Sequence, residues 1–446
     1  MEKTSIPRLL LKLAPPVMLS LLIQSIYNLV DSIFIGRYSD AGLTALSIIY
    51  PIQLLLTALA TGIGTGAGIL VSHADGSGKK GCQGDIAVSA LAISIGHAVI
   101  VTICGLALLD SFLGLSSQQE VVRQCGLDYG RIVLLFSLGC FIQAILEKLL
   151  QAKGKMTVPM IAQIAGTICN IILDPILIFG LGGAPEMGLK GAAIATVCGQ
   201  WCCMLITLAG FLVQYPKEQR YGRISPTIIR EIYRTSAASI LMQSLYTLYI
   251  IGLNLILKGF TEDAVTVLGI YYKLQTFFFI PLIGLQQVIL PVISHNYGAG
   301  KGSRIREVIR YSSGFSICIM VLATAAFIIF PRQLTGIFTT SESVCTIGAQ
   351  ALPIISLSFL PAAVNMMLIV CFQGIMMGKW SICVTLLRQV FLLVPLAWLF
   401  HFGGLGMVWL TFPVTEIITL GCAVFLYQKY ATTAMGLTAP TADLTA

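Results

Sequence analysis

The chain has 446 residues, of which 57% are hydrophobic and only 10% charged, and its mean hydropathy is +0.89. Soluble domains carry about 25% charged residues. This chain lacks the charge to cover a water-facing surface, which excludes a soluble enzyme, a nucleic-acid binder and a disordered chain, and the net charge of +8 has to be read by position in a membrane.

A spanning helix needs about 20 apolar residues. Apolar stretches near 13–36, 44–72, 86–112, 129–150, 157–181 and 188–214 meet that need, and after a polar segment six more follow near 236–258, 264–293, 311–330, 347–374, 381–401 and 404–427. Gly, Pro and charge clusters mark the breaks. The pattern predicts an all-α membrane protein of twelve transmembrane helices. An N-terminal six-helix bundle is expected over 1–214, a cytoplasmic linker over 215–235, a C-terminal six-helix bundle over 236–430 and a cytoplasmic tail over 431–446. The start, with Lys3, Arg8 and Lys12 before an apolar run, imitates a signal peptide. The run is too long, carries Asp31 and lacks a small-x-small cleavage site, so it reads as a retained first span.

Cytoplasmic loops collect Lys and Arg. With a cytoplasmic N-terminus, nineteen of these residues fall on the cytoplasmic side. Six fall on the other (Arg37, Arg123, Arg131, Lys190, Lys258 and Arg332), and Lys273 and Arg388 lie within spans. That bias predicts both termini in the cytoplasm of a cell membrane. The basic balance is then an orientation signal, with acidic lipid head groups as its partner rather than nucleic acid. The thirteen cysteines show no metal-ligand spacing; most sit in apolar runs, as free thiols packing like small hydrophobes.

The halves repeat. Gln24-Ser25-Ile26-Tyr27 returns as Gln243-Ser244-Leu245-Tyr246, Tyr50 and Gln53 as Tyr272 and Gln275, and Ser72-His73 with Gly76, Gly78 and Lys79 as Ser294-His295 with Gly298, Gly300 and Lys301. Gln151 matches Gln373, and Pro175 matches Pro395. Six spans is an even number, so the repeats are parallel, related by a pseudo-two-fold axis along the membrane normal. Two such bundles rocking about a cleft is a transporter layout.

An ionisable side chain in the membrane interior costs about 2.5–3.5 kcal/mol on insertion scales, so each demands a reason. Asp31 lies near the far end of the first span. Asp174 follows Asn170 by four residues in the fifth span, which puts both on one helical face. Thr196 lies in the sixth, and Pro175 frees the carbonyl of Ile171. Two carboxylates, an amide and a hydroxyl are oxygen donors suited to Na⁺ or to exchangeable protons, with no His or Cys set for a soft metal. Two carboxylates close together in low dielectric cannot both ionise cheaply, so the pair can load and release a proton or a cation. Asp31 aligns with Ile250, Asn170 with Val390 and Asp174 with Val394, so these groups belong to the first half only.

In the second half Lys273, Arg388 and Glu416 fall within spans. One reading pairs Arg388 or Lys273 with Glu416 inside the bundle. The other has them line the cleft and contact substrate, with Tyr246 and its neighbours Tyr249, Tyr271 and Tyr272 adding cation–π contacts. There is neither a Gly-Lys-Ser/Thr phosphate loop nor a zinc-protease helix, so the expectation is a transporter, not an enzyme, with no cofactor beyond a coupling ion.

The stretch from Pro16-Val17-Met18 through Gln24-Ser25-Ile26-Tyr27-Asn28-Leu29-Val30-Asp31 to Gly36 resembles the first helix of MATE (multidrug and toxic compound extrusion) transporters. Asn170 to Pro175 resembles their fifth helix, Gly191 to Thr196 their sixth, and Asn296-Tyr297-Gly298-Ala299-Gly300 the loop after their eighth. The likeness covers nearly the whole chain, and in detail it resembles the bacterial MepA-like branch. It implies a V-shaped twelve-helix antiporter that expels organic compounds, often cationic, in exchange for inward H⁺ or Na⁺. It further implies a cation site at Asp31, Asn170, Asp174 and Thr196. Some members use a carboxyl-half site with a glutamate on helix 7 and an aspartate on helix 10; here Gln243 takes the first position and helix 10 has no carboxylate.

The function expected is therefore secondary active efflux of small organic molecules by alternating access, in a protein that works as a monomer. A lipid or lipid-linked saccharide flippase is the alternative that Lys273 and Arg388 keep open. A non-transporting membrane module is a third, set against the absence of any long soluble loop.

Overall fold

The computed structural model describes residues 4–117 and 119–437, so Lys3 and the expected tail from 438 onward lie outside the described residues. Among the described residues all regular structure is helical. The first half contains α1 (Ile6–Tyr38), α2 (Asp40–Gly76), α3 (Gln83–Ser116), α4 (Glu120–Leu135), α5 (Leu138–Ala152), α6 (Thr157–Phe179) and α7 (Leu189–Gln214). The second contains α8 (Pro226–Lys258), α9 (Glu262–Gly298), α10 (Gly302–Ile329), α11 (Pro331–Gly336), α12 (Glu342–Ser356), α13 (Phe359–Gly374) and α14 (Gly378–Leu386). A π-helical turn (Leu387–Leu392) leads into α15 (Leu393–His401), followed by α16 (Leu405–Trp409), α17 (Thr411–Leu426) and α18 (Thr432–Ala434). Among the described residues, ten helices are long and apolar enough to cross a membrane, or twelve when the bent pairs α4–α5 and α12–α13 each count as one span. This is an all-α, multi-pass membrane protein.

Two compact units emerge, Pro15–Ile240 and the described residues of Met1–Ala14 with Leu241–Ala446, called here the N-terminal and C-terminal units. Their boundaries fall inside helices. In α1 the break coincides with Pro15 and Pro16, which withhold two helical N–H donors. In α8 it falls after Ile240 rather than in the polar stretch over 215–235, because α8 starts at Pro226 and the isoleucines of its first turns are packed into the N-terminal unit. Ile232, flanked by Ile228, Ile229 and Ile240, packs into the core made by Ile63, Ala67, Ile86 and Leu149. The stretch before α8 is also held down. The Arg223 backbone N–H donates to Asp85 Oδ1 at 2.6 Å, and a Cβ at Gly84 would run into the Tyr221 carbonyl oxygen.

The two bent spans have the same cause. α4 and α5 meet at 48°, and so do α12 and α13. A break in a helix inside lipid strands carbonyls that no water can reach, and side chains must replace the lost donors. Thr102 Oγ1 donates to Leu134 O at 2.8 Å and Trp201 Nε1 to Phe136 O at 3.2 Å, supplementing long backbone bonds from Ser137 and Gly139 N–H at 3.3 and 3.4 Å. In the C-terminal unit Thr324 Oγ1 donates to Ser356 O at 3.1 Å. Thr324 follows Thr102, and Ser356 follows Leu134, by the same spacing that sets Gln275 against Gln53. The repeat thus extends to a threonine that satisfies a kink.

Lipid offers no hydrophobic force between helices, so close packing needs small residues. A Cβ on Gly166 of α6 would stand 2.6 Å from Gly199 O of α7, and one on Gly199 would stand 2.7 Å from Gly166 O. These two glycines set the approach of the helices that carry Asn170, Asp174 and Thr196.

Candidate ion-coupling site

The N-terminal unit brings Asp31 from α1, Asn170 and Asp174 from α6, and Thr196 from α7 into its interior. Their exposures are 7%, 2%, 0% and 4%, respectively. The helical repeat places Asn170 one turn before Asp174, and Asn170 Nδ2 donates to Asp174 Oδ1 at 3.4 Å. Asp31 and Asp174 lie within electrostatic reach of each other. Asp31 Oδ1, Asp174 Oδ2 and Asn170 Oδ1 are buried and accept no hydrogen bond among the described residues. Neither carboxylate has a Lys, Arg or His partner among those residues.

Three further side chains belong to this cluster. The phenols of Tyr27 and Tyr129 stand beside Thr196 and feel both carboxylates. Gln53 Nε2 donates to Tyr129 Oη at 3.1 Å. Tyr27 precedes Asp31 by one helical turn, a spacing that marks it as a neighbour in the sequence. Tyr129 carries no such signal; only the packing of α4 against α2 and α7 brings it there.

The chemistry of the set is that of a hard-cation or proton site. Buried carboxylate oxygens with no donor leave desolvated negative charge uncompensated, which a proton or a small cation relieves. Pro175 lies inside α6, so the Ile171 carbonyl loses its helical donor. Among the described residues no cluster of three His, Cys, Asp or Glu could hold a metal.

In the C-terminal unit, Arg388 Nε donates to Glu416 Oε1 at 2.6 Å, and Asn365 Nδ2 donates to Glu416 Oε2 at 2.8 Å and to its backbone oxygen at 3.0 Å. Tyr246 packs edge-on to Tyr249, with ring centroids 5.3 Å apart, and lies 6.2 Å from the ring of Tyr272. Lys273 stands apart: it is exposed, and its Nζ lies 5.6 Å from the Phe338 ring centroid. Of the four substrate-contact candidates read from the sequence, the fold brings Arg388 and Glu416 into direct contact and leaves Lys273 elsewhere.

A family model for MatE matches residues 16–176 and again 238–399. The chain belongs to the MatE family. The two matches fall on the two halves of the repeat, and MATE proteins are transporters rather than enzymes. Among curated relatives, the chain is 24% identical to the multidrug export protein MepA of Staphylococcus aureus, over 96% of this chain and 94% of that one. It is 23% identical to an FAD transporter of Shewanella oneidensis, over 98% and 97% of the respective chains. Its fold matches a crystal structure of MATE in complex with MaL6 with a TM-score of 0.90 at 24% identity, covering 98% of both chains. An outward-facing multidrug resistance MATE family transporter matches equally well. The MATE fold of this chain is therefore shown.

Proposed function

We propose that this MATE protein is a secondary active exporter of small organic compounds, often cationic, driven by inward movement of H⁺ or Na⁺. One observation carries the reading: two buried carboxylates, Asp31 and Asp174, share a cluster with acceptor oxygens that nothing fills and no basic side chain neutralises. Asn170 and Thr196 complete the coupling site. An ion shifts a two-state equilibrium only by its differential affinity for the two states. The coupling cation therefore binds one access state of the two halves more tightly, and substrate binds the other. The similarity to MepA supports organic compounds as cargo. We place both termini in the cytoplasm, on the charge bias of the loops, and take the monomer with its two fused halves as the working unit.

Tyr246, Arg388 and Glu416 remain our candidates for substrate contact in the C-terminal unit. The flippase reading is less well supported, because the charge of Arg388 is met by Glu416 within hydrogen-bonding distance instead of being open to a diphosphate. Efflux of a fluorescent organic cation from proteoliposomes, with Na⁺ and pH gradients imposed separately, tests the function. One of the two gradients is expected to drive flux; flux that ignores both would end the antiport reading.

A further inference from the structure

The cysteines show no ligand spacing along the chain, yet the fold pairs two of them. Cys169 lies on α6 and Cys202 on α7. Their thiols stand within hydrogen-bonding reach of each other, and the Cys198 thiol is a further neighbour. All three are free thiols.

The glycine contact between these helices brings the pair together. A Cβ on Gly166 would stand 2.6 Å from Gly199 O, and one on Gly199 would stand 2.7 Å from Gly166 O. The same seam runs on to Cys203 and Asn170: the Gly166 Cβ would meet the Cys203 Cβ at 3.0 Å, and the Gly199 Cβ the Asn170 Cβ at 3.1 Å. Cys169 falls inside the turn from Gly166 to Asn170, and Cys202 inside the turn from Gly199 to Cys203. Both thiols therefore flank the closest approach of the two backbones, where small residues let neighbouring side chains meet.

That flank is open. Cys169 and Cys202 are half-buried and Cys198 is exposed, whereas Cys203 and Cys371 are enclosed as packing thiols are. Ile168, Ile172 and Leu205, which neighbour the pair along α6 and α7, are exposed too. The surroundings through which a reagent reaches the thiols are thus apolar.

We propose that Cys169 and Cys202 form a dithiol site for lipid-soluble trivalent arsenicals. Sulfur is a soft donor, and an uncharged organoarsenic(III) oxide partitions into an apolar setting. Two As–S bonds form, the As=O bond breaks, and the two thiol protons leave with its oxygen as water; arsenic stays trivalent. With both thiols already side by side, the second bond closes at high effective concentration, which a single thiol cannot offer. The bridge ties α6 to α7 at the residue before Asn170. The proposal goes beyond the export reading, and its test reads mass rather than ion-driven flux, so either can fail while the other stands.

The test is capture of phenylarsine oxide by the purified full chain in detergent. Intact mass is read after a wash with 2-mercaptoethanol, which strips arsenic held by one thiol. A variant that keeps Cys169 and Cys202 as its only cysteines is expected to retain one phenylarsenic group per chain and to release it to 2,3-dimercaptopropanol. Replacing either of those cysteines by Ser should weaken capture roughly a hundred-fold. No retained arsenic in the two-cysteine variant would overturn the proposal, as would full retention after either Ser replacement. If the two-cysteine variant does not fold, single replacements in the wild-type chain decide. Cys169→Ser and Cys202→Ser should each clear arsenic from the peptides of α6 and α7, and Cys198→Ser should leave it there. Arsenic that survives Cys202→Ser but is lost in Cys198→Ser would overturn the pairing.

Discussion

Arg388 Nε reaches Glu416 Oε1 at 2.6 Å, whereas Asp31 and Asp174 have no basic partner among the described residues. The C-terminal unit thus carries its own counter-ion where the N-terminal unit leaves negative charge to be met from outside. A buried pair that satisfies itself is architecture or a ligand platform. A buried acid pair that does not is the basis of the proposed ion coupling.

The Arg388–Glu416 pair makes a stability prediction. Removing one partner of a buried pair costs about 3–5 kcal/mol, while replacing both by apolar side chains is often neutral. Glu416→Ala should therefore lower the unfolding temperature in detergent strongly, and Arg388→Met/Glu416→Leu should restore most of it. Equal destabilisation by the single and paired variants would show that the two charges do not compensate each other.

For the coupling site, Asp31→Asn and Asp174→Asn keep the shape and remove the charge. Each is expected to bring gradient-driven flux to background while leaving unfolding within about 1 kcal/mol of wild type, since removing an unpaired buried charge relieves desolvation. Reconstituted efflux together with thermal unfolding measures both. Either variant pumping at the wild-type rate would move the coupling site elsewhere.

The glycine contact between α6 and α7 should matter more for transport than for folding. A Cβ on Gly199 would also lie 3.1 Å from the Asn170 Cβ. Gly199→Val should cost about 1–3 kcal/mol by overpacking. It should also push Asn170 and Asp174 away from Thr196, with a larger loss of flux than the unfolding change explains. Normal flux in a destabilised protein would argue that the site tolerates this displacement.

The kink threonines provide a paired test of the repeat. Thr102→Val and Thr324→Val each remove the hydroxyl bond to a carbonyl at the bend, a loss of about 0.5–1.5 kcal/mol per bond, and Thr102→Val also loses the 3.3 Å contact with the Ser137 hydroxyl. The two residues lie in different units and share no partner, so the double variant should show the sum of the single effects. Denaturation of the three variants measures this, and a silent Thr324→Val would mean that the second kink is held by something else.

Orientation is testable with the native cysteines, all of which are free thiols among the described residues. In a cysteine-free background, an impermeant thiol reagent added outside cells should label a lone Cys345 and spare a lone Cys82, which sits at the basic α2–α3 turn. Reversed labelling would invert the topology.

Much of the fold could be read from composition, because a chain this apolar has few ways to satisfy its backbone outside a helical bundle. The spans read at 129–150 and 347–374 fall within the bent pairs. Their breaks fall at Phe136–Ser137 and Leu357–Ser358; Pro353 and Pro361 flank the second, but the side-chain donors beside both breaks come from distant helices. The extent of α8 was likewise hidden: Ile228, Ile229 and Ile232 sit among charged residues, and only their packing against α2, α3 and α5 shows that they are core.

The candidate site divides along the same line. Asp31, Asn170, Asp174 and Thr196 stand out in sequence because charge and amide groups are rare in apolar runs, and helical periodicity pairs Asn170 with Asp174. Depth in lipid makes each of them expensive wherever the helix goes. Periodicity acts over one or two turns, so it says nothing of Tyr129, of the choice of Arg388 over Lys273 as partner of Glu416, or of the π-turn that aims Arg388. Those were decided by helix packing, where two glycines and a few kink-holding hydroxyls set which distant groups meet. Sequence alone determined that unusual polar chemistry lies in the membrane; tertiary structure decided which of those charges meet a partner of opposite sign and which do not.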